Sequence, residues 1–83
     1  MDKIASLFSC SAAFGQARGV SEARVSTLVF NDGKRLHRIR SGSDVGARQI
    51  DRAIQWFSDN WPAGTEWPAD VPRPAPTADG EAA

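Results

Sequence analysis

The sequence predicts an all-α fold: a compact bundle of four to five short helices, followed by a disordered Pro-rich C-terminal tail. Three observations predict it. Apolar residues recur at i, i+3, i+4 through most of residues 1–61. Glycines and short polar residues that start and stop helices fall between these stripes. All five prolines lie beyond Trp61.

Taken in order, Ile4, Leu7 and Phe8 share one helical face within 2–9. Ser9-Cys10-Ser11 is rich in N-cap candidates and leads into a second helix-compatible run, 12–18, ended by Gly19 as a C-cap glycine. Ser21 then caps a further helix, with Glu22 in its first turn favouring the dipole and Val25, Leu28 and Val29 repeating on its inner face. Asn31-Asp32-Gly33 stops it. Residues 34–40 fit one turn of helix, with Asp32 as N-cap and Gly42 as C-cap, or a β-hairpin closed by Asn-Asp-Gly. Helix is preferred, because 35–38 carry no β-branching and the flanking elements are helical. The longest periodic stretch is 44–60. Ala47, Ile50, Ala53, Ile54, Phe57 and Trp61 form its stripe, capped by Ser43 or Asp44 and ended by Trp61-Pro62. Asp44 is placed to pair with Arg48 at i+4.

The domain reading is therefore a helical domain over 1–61 and a Pro-rich acidic tail over 62–83. The tail contains no Leu, Ile, Phe or Met, too little to offset its ordering entropy, so 69–83 is expected to be disordered. Trp-Pro occurs at 61–62 and 67–68, and residues 62–68 have the option of folding back so that the indoles cover the core.

Composition excludes several classes. The chain has 83 residues, 24% charged and 41% apolar, the size of one small domain. No apolar run approaches the roughly 20 residues of a membrane span, and Met1-Asp2-Lys3 opens no signal-peptide pattern. One cysteine (Cys10) and one histidine (His37) close neither a disulfide nor a zinc site. The expectation is a reduced, cytoplasmic protein with no metal, no cofactor and no membrane. The net charge of zero conceals an asymmetry. Residues 18–52 hold eight bases and four acids, a net +4, whereas 53–83 hold one base and five acids, a net −4. Such a split is one mark of nucleic-acid contact.

Two helices joined at a glycine, the second amphipathic, outline a helix-turn-helix. The stretch from Ser11 to Leu28 resembles more closely the helix-turn-helix of phage repressors and Cro-like proteins. The matching positions are Phe14 then Gly15 in the first helix, Gly19 at the turn, Val20 after it, and Val25 and Leu28 in the second helix; Arg18 departs from the small or apolar residue usual there. Gly15 permits close approach of the second helix, and Gly19 supplies a positive φ.

The resemblance implies a helix 21–30 lying in the major groove of double-stranded DNA, in a sequence-specific transcriptional regulator acting as a homodimer. Its base-reading residues would be Glu22, Ala23, Ser26 and Thr27, with Arg24 at the side. Phosphates would be held by Arg18, Arg24, Lys34, Arg35, Arg38 and Arg40, and by Ser11 at the start of the first helix. The exposed aromatics of 44–61 would serve the dimer face. Trp56, Phe57 and Trp61 otherwise read as core, Cys10 as a small buried apolar residue, and His37 as an exposed member of the basic cluster. Phe30 packs on Leu36 or faces DNA; the pattern leaves both open. Enzymatic activity and a small-molecule substrate have no motif behind them: no second histidine, no phosphate-binding glycine loop and no carboxylate pair in an apolar setting. The alternative is a small protein-binding module, an inhibitor or accessory factor, that docks its basic surface on an acidic partner and uses the Trp-Pro segment as hot-spot aromatics.

Overall fold

Asp2 opens the first helix. Its carboxylate accepts the amide of Ala5 at 2.7 Å, and α1 then runs unbroken over Lys3–Arg18. The computed structural model describes residues 2–77, and its remaining helices are α2 (Glu22–Phe30), α3 (Arg35–Arg40) and α4 (Ala47–Asp59). Among the described residues the chain is all-helical, and four helices account for it.

The expected break at 9–11 does not occur. Ser11 Oγ donates to the Leu7 carbonyl at 2.8 Å, one turn back, so the serine satisfies itself inside the helix and opens no new one. The packing agrees: Leu7, Cys10 and Phe14 lie at i, i+3, i+7 and are all buried.

Gly19 ends α1 at φ 70°, and its amide donates to the Gly15 carbonyl. Ser21 caps α2 by accepting the Arg24 amide at 3.2 Å. A Cβ on Gly15 would stand 3.1 Å from the Val20 carbonyl oxygen and 3.4 Å from a Val25 methyl. Glycine is thus what lets α2 sit down on α1. Asn31 closes α2 in the left-handed region at φ 58°, a conformation asparagine adopts more readily than most residues.

Residues 35–40 are helical, as preferred, and the hairpin alternative falls. The start of α3 differs from expectation. Lys34 is its N-cap residue and makes no side-chain cap bond, while Asp32 Oδ1 accepts the Lys34 amide at 2.9 Å in a tight local turn. At the far end, Gly42 has φ 112° and the Ser43 amide returns to the Arg38 carbonyl at 2.9 Å. α4 begins at Ala47, after Gly46, and not at Ser43 or Asp44, and Ala47 itself is exposed. Asp44 makes no ion pair with Arg48 among the described contacts; its carbonyl instead accepts from Arg35.

Every helix contributes to one core. Leu7, Cys10 and Phe14 come from α1, Val25 from α2, Leu36 and Ile39 from α3, and Ile50, Ala53 and Phe57 from α4. Phe14 is its aromatic centre, with ring centroids of Trp56, Phe57 and Trp61 at 5.3, 5.6 and 6.2 Å. The radius of gyration, 12.3 Å, is close to the ~12 Å of a compact chain of this length. None of the described helices is long and apolar enough to cross a membrane.

Beyond α4 the chain folds back. Trp61 and Trp67 pack at 4.8 Å, and their indole N–H groups donate to the Thr65 and Val71 carbonyls. The expectation of disorder over 69–83 is corrected for 69–77; residues 78–83 lie outside the described residues. Val71 is buried, Arg73 donates to Ser58, Ser58 Oγ donates to the Pro74 carbonyl, and Thr77 donates twice to Asp59. Prolines make this affordable, because their fixed φ leaves less backbone entropy to lose.

Candidate nucleic-acid interface

The outer face of α2 is defined by what the core takes from the helix. Val25 and Ser26 are buried, and Glu22, Val29 and Phe30 are half-buried. What remains exposed is Ala23, Arg24 and Leu28, with Thr27 half-buried beside them. The basic residue at the side of the expected face therefore stands in its middle.

The expected base-reading residues divide accordingly. Ala23 is exposed. Thr27 Oγ1 donates to the Ala23 carbonyl at 3.1 Å and lies against the turn at Gly33. Glu22 is engaged by Arg40, whose guanidinium lies 2.6 Å from its carboxylate and 4.5 Å over the Phe8 ring. Ser26 is a correction. It is fully buried, donating from Oγ to the Asp32 carbonyl and accepting the Leu36 amide at 3.0 Å, so it fastens α2 to α3 and faces no base. Leu28 is a second correction: expected on the inner face, it is 39% exposed.

The expected phosphate ligands divide too. Ser11 is removed from the set, being buried in mid-helix with its hydroxyl used. Arg38 pairs with Asp32, and Arg35 donates to the Asp44 carbonyl and to Gln49 Oε1. These pairs are exposed, where ion pairing contributes little, but they hold the guanidinium groups in place. Arg24 and Lys34 have side chains with no partner among the described residues, and Arg18 stands 5.6 Å over the Phe14 ring. Arg18, Arg24 and Leu28 share with Phe14 and Trp56 a shallow groove of about 360 Å³. Lys34 is exposed on the turn that follows α2. A Cβ on its neighbour Gly33 would be 3.1 Å from Thr27 Oγ1 and 3.6 Å from the Ala23 carbonyl, so the 31–34 turn lies against α2.

The arrangement is a short helix with an arginine at the centre of its open face, a threonine and an alanine methyl beside it, Arg18 in the same groove as that arginine, and an exposed lysine on the adjoining turn. Such a surface can hydrogen-bond a base edge and hold phosphates. Sequence reasoning missed the central place of Arg24 because it took Leu28 as inward, which rotates the face. It also missed Arg52, an exposed cation on α4. Phe30, left open, is half-buried against the core. The α4 aromatics expected at a dimer face are partly buried: Trp56 and Trp61 pack on Phe14, and among the described residues the exposed large hydrophobics are Ile4 and Leu28.

The remaining chemistry is sparse. Burial pushes the Cys10 thiol up to about 11, which keeps it protonated and unreactive near neutrality. Among the described residues no group of three or more His, Cys, Asp or Glu is placed to hold a metal. Comparison of the chain with family models, with curated proteins and with solved structures found no match.

Proposed function

We propose that the chain is a sequence-specific DNA-binding protein, a transcriptional regulator of the phage or prophage repressor type, in which α1 and α2 form a helix-turn-helix and α2 enters the major groove. It acts without enzymatic chemistry, in the cytoplasm, as a homodimer on a two-fold symmetric site. The observation that carries this reading is the junction of α1 and α2. Gly15 and Gly19 seat the second helix tightly on the first, and Ala23, Arg24 and Thr27 are left on its open side.

In this reading Arg24 donates to a guanine edge, Thr27 bonds a base, and the Ala23 methyl touches thymine. Arg18 and Lys34 hold phosphates, while Arg35, Arg38 and Arg40 add positive potential from fixed positions. Glu22 helps to orient Arg40. Binding to duplex DNA, measured against salt, tests the assignment. Lys34→Ala should weaken binding to all duplexes alike and reduce the salt slope by about 1. Arg24→Ala should cost about 1–3 kcal/mol on the preferred site and relax the choice of base there. If neither substitution changes affinity or slope, α2 is not the reading element.

A further inference from the structure

A second groove, of about 770 Å³, opens between the C-terminal end of α2, α3 and α4. Its apolar lining includes Val29, Phe30 and Trp56, and its cations are Arg35, Arg38 and Arg52. We propose that this groove docks an acidic segment of a partner protein, one carrying an apolar side chain between carboxylates.

Three features argue for that occupant. Charge complementarity comes first: three arginines outnumber the one carboxylate in the lining, Asp32, which Arg38 already engages. Arg52 is exposed and has no hydrogen bond or ion pair among the described residues, while Arg35 is held in position by Gln49 at 2.9 Å. Two of the guanidinium groups are thus positioned in advance, which limits the ordering entropy lost on binding, and the third is free to pair with a carboxylate. The second feature is the apolar lining. Trp56 is fixed edge-on against Phe14 and Phe57, at 5.3 and 5.5 Å, and Phe30 stands near it half-buried. Such a surface rewards an apolar side chain, which a sugar-phosphate backbone lacks. The third is shape. The groove is open to solvent and not enclosed, whereas small-molecule sites enclose most of their ligand.

From α2 the groove uses Val29 and Phe30, not Ala23, Arg24 or Thr27. Arg35 and Arg38 also belong to the positive surface proposed for DNA, whereas Arg52 belongs to the groove alone, so Arg52→Glu separates partner docking from DNA binding.

The test is fluorescence anisotropy of the full chain with a labelled twelve-residue peptide alternating Asp or Glu with Leu and Phe, beside an all-Glu peptide of equal length. The mixed peptide should bind more tightly than the all-Glu one. Arg52→Glu, an exposed change on α4 that leaves the core intact, should weaken it about tenfold, since it puts a like charge against the ligand. Phe30→Ala should weaken the mixed peptide and leave the all-Glu peptide unchanged, with the fold checked by circular dichroism. Duplex DNA affinity should change less than threefold in Arg52→Glu. Equal binding of the two peptides, or unchanged binding by Arg52→Glu, would overturn the proposal. So would an equal loss of peptide and DNA binding in Arg52→Glu, which would assign the groove to nucleic acid.

Discussion

Ser26 carries more of the structure than its size suggests. Its hydroxyl, with no solvent exposure, donates to the Asp32 carbonyl and accepts the Leu36 amide, joining the end of α2 to the start of α3. Ser26→Ala leaves the Leu36 amide buried without that acceptor. The expected loss is about 1–3 kcal/mol, read as a lower urea midpoint with an unchanged slope; an unchanged midpoint would contradict the assignment. In the sequence Ser26 is one polar residue on an amphipathic helix, and nothing local marks it as inward. What buries it is a turn six residues later. Arg24 moves the other way, from flank to centre, because Leu28 is exposed instead of buried. Gly15 and Gly19, by contrast, were legible because their constraints are local: a tight helix contact and a positive φ.

Among the elements, α4 was the most readable. Ile50, Ala53 and Phe57 are buried on one face of it, as their spacing predicts. Its start was misplaced because Gly46 at the N-cap makes no side-chain bond and so leaves no polar signature. In α1 the opposite error arose: Ser9 and Ser11 resemble caps, yet a helix buried along Leu7, Cys10 and Phe14 outweighs weak local preference. The strap over 69–77 was hidden for a further reason. Its contacts are mostly carbonyls and side chains meeting α4, which hydropathy does not register. Asp59 accepts the Thr77 amide at 2.7 Å and its hydroxyl at 2.8 Å, and the amide bond first, then the hydroxyl, hold its carboxyl below the ordinary value. A depressed folded value means that this contribution is present above the unfolded pKa and is lost as pH falls through the folded one. Acidification should therefore release the end of the strap before the helices unfold. The Thr77 amide resonance should shift in that acid range in the wild type. The Asp59→Asn variant should lack that titration, and an identical titration would show that Asp59 is not the latch.

For the whole molecule, the charge profile links fold to function. Residues 18–52 bear a net +4 and residues 53–83 a net −4. The fold puts Arg18 and Arg24 in one groove beside α2 and Lys34 on the turn that follows that helix, while Asp59 is occupied in fastening the strap. The segregation of charge was readable by counting along the chain. Which cations are committed internally was not. Arg40 on Glu22, Arg38 on Asp32 and Arg35 on Gln49 are contacts between residues 6 to 18 apart, set by how α3 packs. The proposed reading of DNA sequence by α2 is best examined by selecting bound duplexes from a random pool. A two-fold symmetric motif whose half-sites lie about one helical turn apart should be enriched, with loss of one preferred base in each half-site for Arg24→Ala. A pool that stays unenriched after repeated rounds, with the folded protein present, would contradict it.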